Sequence, residues 1–523
     1  MMETLREQLK KQKWPVAIFL GILVIGIFLR TYQFHDWLRF NADQSRDATI
    51  VSEYLEGKSP LPLLGPKAGG TDFRVGPAFY HFQIAAGKIF GNAPDVMAYP
   101  DLLFSILAIP LLFLFLWKYF DTRTSLALAG IFAVSFYAVK YSRFAWNPNS
   151  LPFWSILFLF MLHEIAIASR EAKKWKAAVA GVALGIGAQL HTLSLIFFPL
   201  MTVLVFAFLF IRKRMPWKTF FIMVALALFV NVPQIASEIQ TGWANTDSFF
   251  SGVGTKEEKG SGAARNALKD IVCYAQANAY ILSSYDSDDG CSLKSVKKGL
   301  NLPVFIAALV FLVGGLSLAV RAFLREADHS RKYFLGIVLL YLALSFAILL
   351  PLANEISMRF FLAMIFMPFV LLGLWFGYIS EKFPRYGYAG MIILVSLFCA
   401  ANLFSIRNSF ADSRAFLSDS DAGMDNAMLR EVEISSAFII SRAGGAKVVS
   451  VGGDSRYLFK ALKSMNYFTS RSGIRLVQKS KKTDPGIPVF LIENTKRTES
   501  ILKSQSVEEH LSFGRFTIFS IRQ

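Results

Sequence analysis

Residues 98–117 read AYPDLLFSILAIPLLFLFLW, an apolar run interrupted early by one proline-aspartate pair and long enough to cross a bilayer as a helix. Similar runs recur along the 523 residues, among them VALALFVNV at 224–232. Hydrophobic residues make up 54% of the chain, charged residues only 18%, and mean hydropathy is +0.44. A soluble chain of this size would divide into domains with more charge on their surfaces, so lipid is the expected solvent. The net charge of +18 does not indicate nucleic acid, because the basic residues sit in short segments between the apolar runs.

Eleven spanning helices are expected, near 15–34, 98–118, 125–141, 150–168, 176–192, 194–211, 218–235, 302–322, 333–351, 359–379 and 387–406. The first is read as retained, since its apolar run continues into RTYQFHDW without a small-residue cleavage site. With the N-terminus inside, the short inner loops hold twenty Lys and Arg and the short outer loops three. That asymmetry predicts a multi-pass protein of the plasma or inner membrane, with a cytoplasmic N-terminus and the C-terminal segment outside.

Three long segments then fall outside: 35–97, 236–301 and the tail. The first carries two amphipathic stretches, 47–56 and 77–90, expected to lie in the interface plane partly in lipid. The fold class expected is an all-α polytopic membrane domain over 1–410, with a small extracytoplasmic α/β domain over 411–523. In that tail KVVSV, GGD and SRYLFKALKSM read strand, turn, helix, and VFLIEN and FTIFSI read as strands.

Ionisable residues at the membrane boundary that do not set topology are the candidates for chemistry. Asp43 and Asp47 lie one helical turn apart with Arg46 between them, placed so that a carboxylate takes a proton from an acceptor hydroxyl. The same spacing reads equally as a helix start with Asp43 as cap. In YSRFAWNPNSLPF, Arg143, Trp146 and Asn147 end the third helix; Trp146 suits a sugar face or the interfacial aromatic belt. In PLANEISMRFF, Arg359 suits a phosphate clamp, or an ion pair with Glu355 one turn earlier. Tyr80, His81 and His191 are further substrate-side candidates, His191 reading also as a residue that satisfies a backbone carbonyl.

Cys273 and Cys291 share one long loop and are a candidate disulfide, two free thiols being the alternative. No metal-ligand cluster or nucleotide-binding glycine loop stands out, and no cofactor is called for. A divalent cation on Asp286, Asp288 and Asp289 is left open, a solvated acidic loop being the plainer reading.

The order FNADQSRDATIVSEYLEGKSPL, GTDFRVGPAFYHFQIAAGKIFG, AYPDLLFSILAIPLL, YSRFAWNPNSLPF and QLHTLSLIFFP resembles the C-type glycosyltransferases, in the branch of the protein O-mannosyltransferases and the lipid A aminoarabinose transferases. The resemblance covers about 1–410. It implies transfer of a sugar from a polyprenyl-phosphate carrier to a lipid, glycan or protein acceptor at the outer face, with Asp43 as base and Arg359 on the carrier phosphate. Two positions depart from the pattern. Gln44 stands where many relatives have a second acid, and Gly76 precedes Pro77 where the aminoarabinose branch tends to have lysine, which passes that cationic role to Arg74 or Lys67. Arg143 completes the cationic candidates. A transporter or flippase for a lipid-linked saccharide is the alternative; it predicts internal repeats and midplane charges, neither of which the chain displays.

Overall fold

The computed structural model describes residues 14–257, 262–285, 291, 301–414, 427–453, 455–479 and 487–522. Among these, seven helices are long and apolar enough to cross a membrane, and two bent pairs raise the number to nine if each is one span. The remaining two of the eleven expected spans are shorter. Lys174–Leu190 has 17 residues, and the third expected helix splits into Thr122–Val134 and Phe136–Tyr141.

The split at Ser135 keeps its backbone satisfied, as a helix break inside a bundle must. The Phe136 N–H donates to Asn402 Oδ1 (2.8 Å), and Ser135 Oγ donates to the Ile281 carbonyl (2.7 Å). Asn402 in turn donates to the carbonyls of Leu282 and Phe398. The bent pairs are Trp217–Val230 with Val232–Thr241 (60°) and Met358–Met364 with Met367–Lys382 (62°). The tenth expected span therefore opens as a 3-10 turn, and its α-helix begins only at Met367, with Pro368 in its first turn. Pro100 and Pro152 open other helices in the same way.

Glycine sets the closest helix packing. A Cβ on Gly181 or Gly185 of Lys174–Leu190 would overlap Met223 or Val230 of Trp217–Val230, so only glycine lets these backbones approach.

The long segment 236–301 is not one loop. It holds the ends of Val232–Thr241, then Ala244–Glu257, then Ala263–Ser283, whose Val272, Cys273, Ala275, Ala277 and Ile281 are buried among the spans. Cys273 and Cys291 are joined as a disulfide, while Cys399 is free. Asp286, Asp288 and Asp289 lie outside the described residues, and no group of three potential metal ligands occurs among the described ones.

The two amphipathic stretches of the first loop are helices Ala42–Leu55 and Ala78–Phe90. Their inner faces are buried against protein rather than lipid: Ala48, Val51, Phe79 and Tyr80 are all 3% exposed or less. A Cβ on Gly87 would overlap Leu55, which measures how closely the two helices pack. Ile89 and Phe90 at the far end remain exposed.

The tail forms a five-stranded sheet from β1 (Val448–Gly453), β2 (Arg475–Gln478), β3 (Val489–Asn494), β4 (Val507–Phe513) and β5 (Phe516–Ile521), in the order β2-β1-β3-β5-β4. β1 is parallel to both its neighbours, and β5 is antiparallel to both of its own. Val449, Val451, Phe490, Ile492, Ile518 and Phe519 fill its interior. Helices Leu429–Arg442 and Ser455–Arg471 pack on this sheet, and the second also docks on Ala42–Leu55. There Tyr467 Oη meets Ser52 Oγ (3.1 Å) and Arg471 pairs with Glu56 (2.8 Å). Backbone bonds join Phe40 to Ala427 and Leu429 to Leu38, both at 2.8 Å.

Candidate active site

Helix Ala42–Leu55 starts on Asn41, not on Asp43. The Asn41 side chain accepts the Asp43 N–H (3.0 Å), and Gln44 reaches back to the Asn41 N–H (3.3 Å) to close a capping box. Asp43 is thereby released from the capping role its spacing also suited. Its side chain is 52% exposed, and it accepts from Arg46 Nη1 at 3.0 Å.

One turn on, Asp47 is 1% exposed. Its Oδ1 accepts from Arg46 Nε (2.9 Å) and Nη2 (2.9 Å) and from the Tyr80 hydroxyl (2.8 Å), while Oδ2 is buried without a hydrogen-bond partner. Burial pushes the Asp47 carboxyl up to about 6, against the lowering pull of Arg46 and Tyr80. Burial and the Asp47 charge raise the Tyr80 phenol as well, so Tyr80 is a neutral donor. Arg46 therefore stands between two carboxylates, one sealed in protein and one open.

The Gln44 amide donates to the Ala145 carbonyl (3.0 Å), which ties this helix to segment 144–147. The Trp146 N–H donates to buried Asp101 (3.0 Å), and Asn147 donates to the Leu190 carbonyl (2.6 Å). The Arg359 guanidinium lies 5.5 Å from the centroid of the Trp146 ring and 5.7 Å from that of Phe360. Arg359 forms no pair with Glu355, which is exposed, and has no carboxylate partner among the described residues. Their four-residue spacing is a helical neighbour relation only within a helix, and the helical turn begins after Glu355, at Met358.

His191 caps the helix Thr192–Ile211. Its Nδ1 accepts the Leu193 N–H (3.1 Å), and its ring meets Phe360 edge-on at 5.0 Å. Segment 65–76 passes beside Arg359, since a Cβ on Gly69 would lie 3.4 Å from Arg359 Nη2. Within that segment Arg74 Nε donates to the Gly65 carbonyl (2.8 Å), and Lys67 pairs with Asp72 (2.7 Å) at the surface. His81 faces away from Asp47 and meets the Pro62 carbonyl (2.9 Å).

Arg143 belongs elsewhere. Its guanidinium is buried and donates to the carbonyls of Leu29, Arg30, Tyr32 and Gln33 at 2.8–3.3 Å, closing the end of the first helix. Both of its Nη groups are taken up by these carbonyls, which accounts for Arg143 as a structural residue rather than a phosphate contact.

Four remote parts of the chain thus converge: Asp43–Asp47, Tyr80, Trp146–Asn147 and Arg359. Asp101 was not singled out in the sequence; a carboxylate in the first turn of an apolar helix is the signal that marks it.

The family model of dolichyl-phosphate-mannose-protein mannosyltransferases matches residues 74–236. The fold is similar to that of ArnT from Cupriavidus metallidurans in the apo state, at 11% identity over 97% of this chain and 98% of that one, with a TM-score of 0.55. The same enzyme bound to undecaprenyl phosphate gives 12% identity, the same coverage and a TM-score of 0.54. No protein of curated function matches by sequence. The fold is similar to that of the C-type glycosyltransferases, and the family match over 74–236 agrees with a membrane glycosyltransferase. The matched family is named for dolichyl phosphate mannose and the similar ArnT is bound to undecaprenyl phosphate, so the transporter reading is not favoured.

Proposed function

We propose that the chain moves one sugar from a polyprenyl-phosphate carrier to an acceptor hydroxyl, with inversion, at the membrane face that bears the first long loop. Asp43 takes the proton from the acceptor. The acceptor oxygen attacks the anomeric carbon, the bond from that carbon to the phosphate oxygen breaks, and polyprenyl phosphate leaves with the electron pair. A phosphate is a good leaving group, so one open carboxylate suffices and no general acid is required. Arg359 meets the charge that develops on the departing phosphate.

The observation that carries this reading is that the open acidic helix and Arg359 both contact the same short segment, 144–147. Trp146 offers its ring beside Arg359, a surface suited to a sugar. The undecaprenyl phosphate named for the similar ArnT structure supports a carrier of that chemistry. The face is taken as extracytoplasmic on the distribution of Lys and Arg, with the N-terminus cytoplasmic.

The test uses purified protein in nanodiscs, fed a sugar-labelled polyprenyl-lipid extract from the cells that make it. Wild-type protein should release labelled sugar to acceptor and free polyprenyl phosphate. Asp43→Asn should bind the carrier and release neither. Relocation of the intact lipid without its consumption would replace this reading with the transporter one.

A further inference from the structure

Asp47 plays no direct part in the reaction just described, yet its surroundings are not those of an inert buried residue. Its carboxylate is sealed, it has one cation, and one of its two oxygens lacks any partner. An ion pair kept only for stability would satisfy both oxygens, because a half-satisfied buried carboxylate is a net cost. The contacts it does make run in one direction. Tyr80, from the second loop helix, fixes Asp47 Oδ1; Oδ1 fixes the Nε/Nη2 edge of Arg46; and the opposite corner of the same planar guanidinium, Nη1, holds Asp43. A guanidinium is rigid, so setting one edge sets the other.

We propose that Asp47 is a positioning residue for the transfer: with Tyr80 it orients Arg46, and Arg46 presents the Asp43 carboxylate toward the acceptor. The proposal rests on Asp43 being the base. The groups facing Asp47 are Arg46 and Asp43 on its own helix and Tyr80 opposite, with the Arg74 cation near Tyr80. Without the Asp47 charge, Arg46 has Asp43 as its one carboxylate and is free to turn onto it or out to solvent. Either motion displaces the base from its line to the acceptor, and small displacements of a catalytic group are costly in rate.

The experiment compares wild type, Asp47→Asn, Tyr80→Phe and Asp43→Asn as full-length proteins in nanodiscs, with two readouts. The first is turnover of the same labelled polyprenyl-lipid extract across pH. Asp47→Asn should lower kcat by about 10-fold or more while the half-saturating amount of extract stays within about 2-fold, since ground-state binding is not its role. Asp47 is ionised above about pH 6, so wild-type activity should fall as pH drops through that value, and this limb should vanish in Asp47→Asn. The second readout needs no substrate: the rate of phenylglyoxal modification at Arg46, followed by mass spectrometry at pH 8, should rise several-fold in Asp47→Asn. Tyr80→Phe should show the same changes in smaller measure, and it carries the test if Asp47→Asn does not fold. Wild-type kcat together with unchanged Arg46 reactivity in both variants would overturn the proposal. If Asp43→Asn is inert while Asp47→Asn behaves as wild type, only the role of Asp47 falls; a fully active Asp43→Asn removes the base itself.

Discussion

Arg359→Gln should weaken binding of undecaprenyl phosphate without unfolding the protein. The guanidinium has no carboxylate to neutralise among the described residues, and it rests over Trp146 and Phe360 at 5.5 and 5.7 Å. A phosphate at about 4 Å would gain roughly 4 kcal/mol in a medium of effective dielectric near 20. Arg359 is only half-buried, so part of that gain is screened, and a net loss of about 1.5–3 kcal/mol is the reasonable expectation for one charge-assisted contact. That corresponds to roughly 10- to 150-fold in Kd. Arg359→Lys keeps the charge but loses the flat face on Trp146 and the second donor, so it should fall between, near a few-fold. The assay is a titration of nanodisc-embedded protein with undecaprenyl phosphate, read by tryptophan fluorescence at two salt concentrations. The effect should shrink at high salt. Arg143→Gln serves as the control: its four carbonyl contacts predict a lower melting temperature and an unaltered Kd. Unchanged affinity in Arg359→Gln beside weakened affinity in Arg143→Gln would refute the assignment of both residues.

His35 bridges Asp95 (3.2 Å) and Glu433 (3.3 Å); burial alone would lower its pKa, but these two carboxylates raise it above 6.5. Its contribution to stability is therefore complete below pH 6.5 and lost as pH rises through the folded-state value, so wild type should melt lower at pH 8.5 than at pH 5.5 by a margin that His35→Gln reduces. Replacing Cys273 and Cys291 together by serine opens a link spanning 18 residues and should cost about 3 kcal/mol, seen as a lower melting temperature. Before reduction, maleimide should label wild-type protein at Cys399 alone.

The apolar runs carried most of the membrane architecture into view, because a span must be continuous in sequence to be continuous in lipid. Ala263–Ser283 escaped notice for the opposite reason. AARNALKDIVCYAQANAYILS mixes polar and apolar residues, and its burial comes from the spans around it. The acidic pair was visible as a pair, but which member is open was not, since that depends on Tyr80, 33 residues away from Asp47. Asn41 was overlooked as the cap because Asp43 fits the same role by type. Arg143 and Arg359 look alike as arginines at helix ends; only the carbonyls of residues 29–33 separate the one from the other. In the tail, β2 and β4 were missed: RLVQ is very short, and VEEHLSF faces solvent at the sheet edge.

The seam between Leu38–Phe40 and Ala427–Leu429 ties together parts of the chain that a ribosome makes nearly four hundred residues apart. Both must lie on one side of the bilayer, so the polypeptide between them crosses it an even number of times. The acidic helix also receives Tyr467 and Arg471, which are translated later still. A partly synthesised protein therefore lacks the contacts that brace this helix from the tail until the last portion has arrived. Ending the chain after residue 414 would leave every span intact and Phe40 without the Tyr467 and Phe468 rings it packs against.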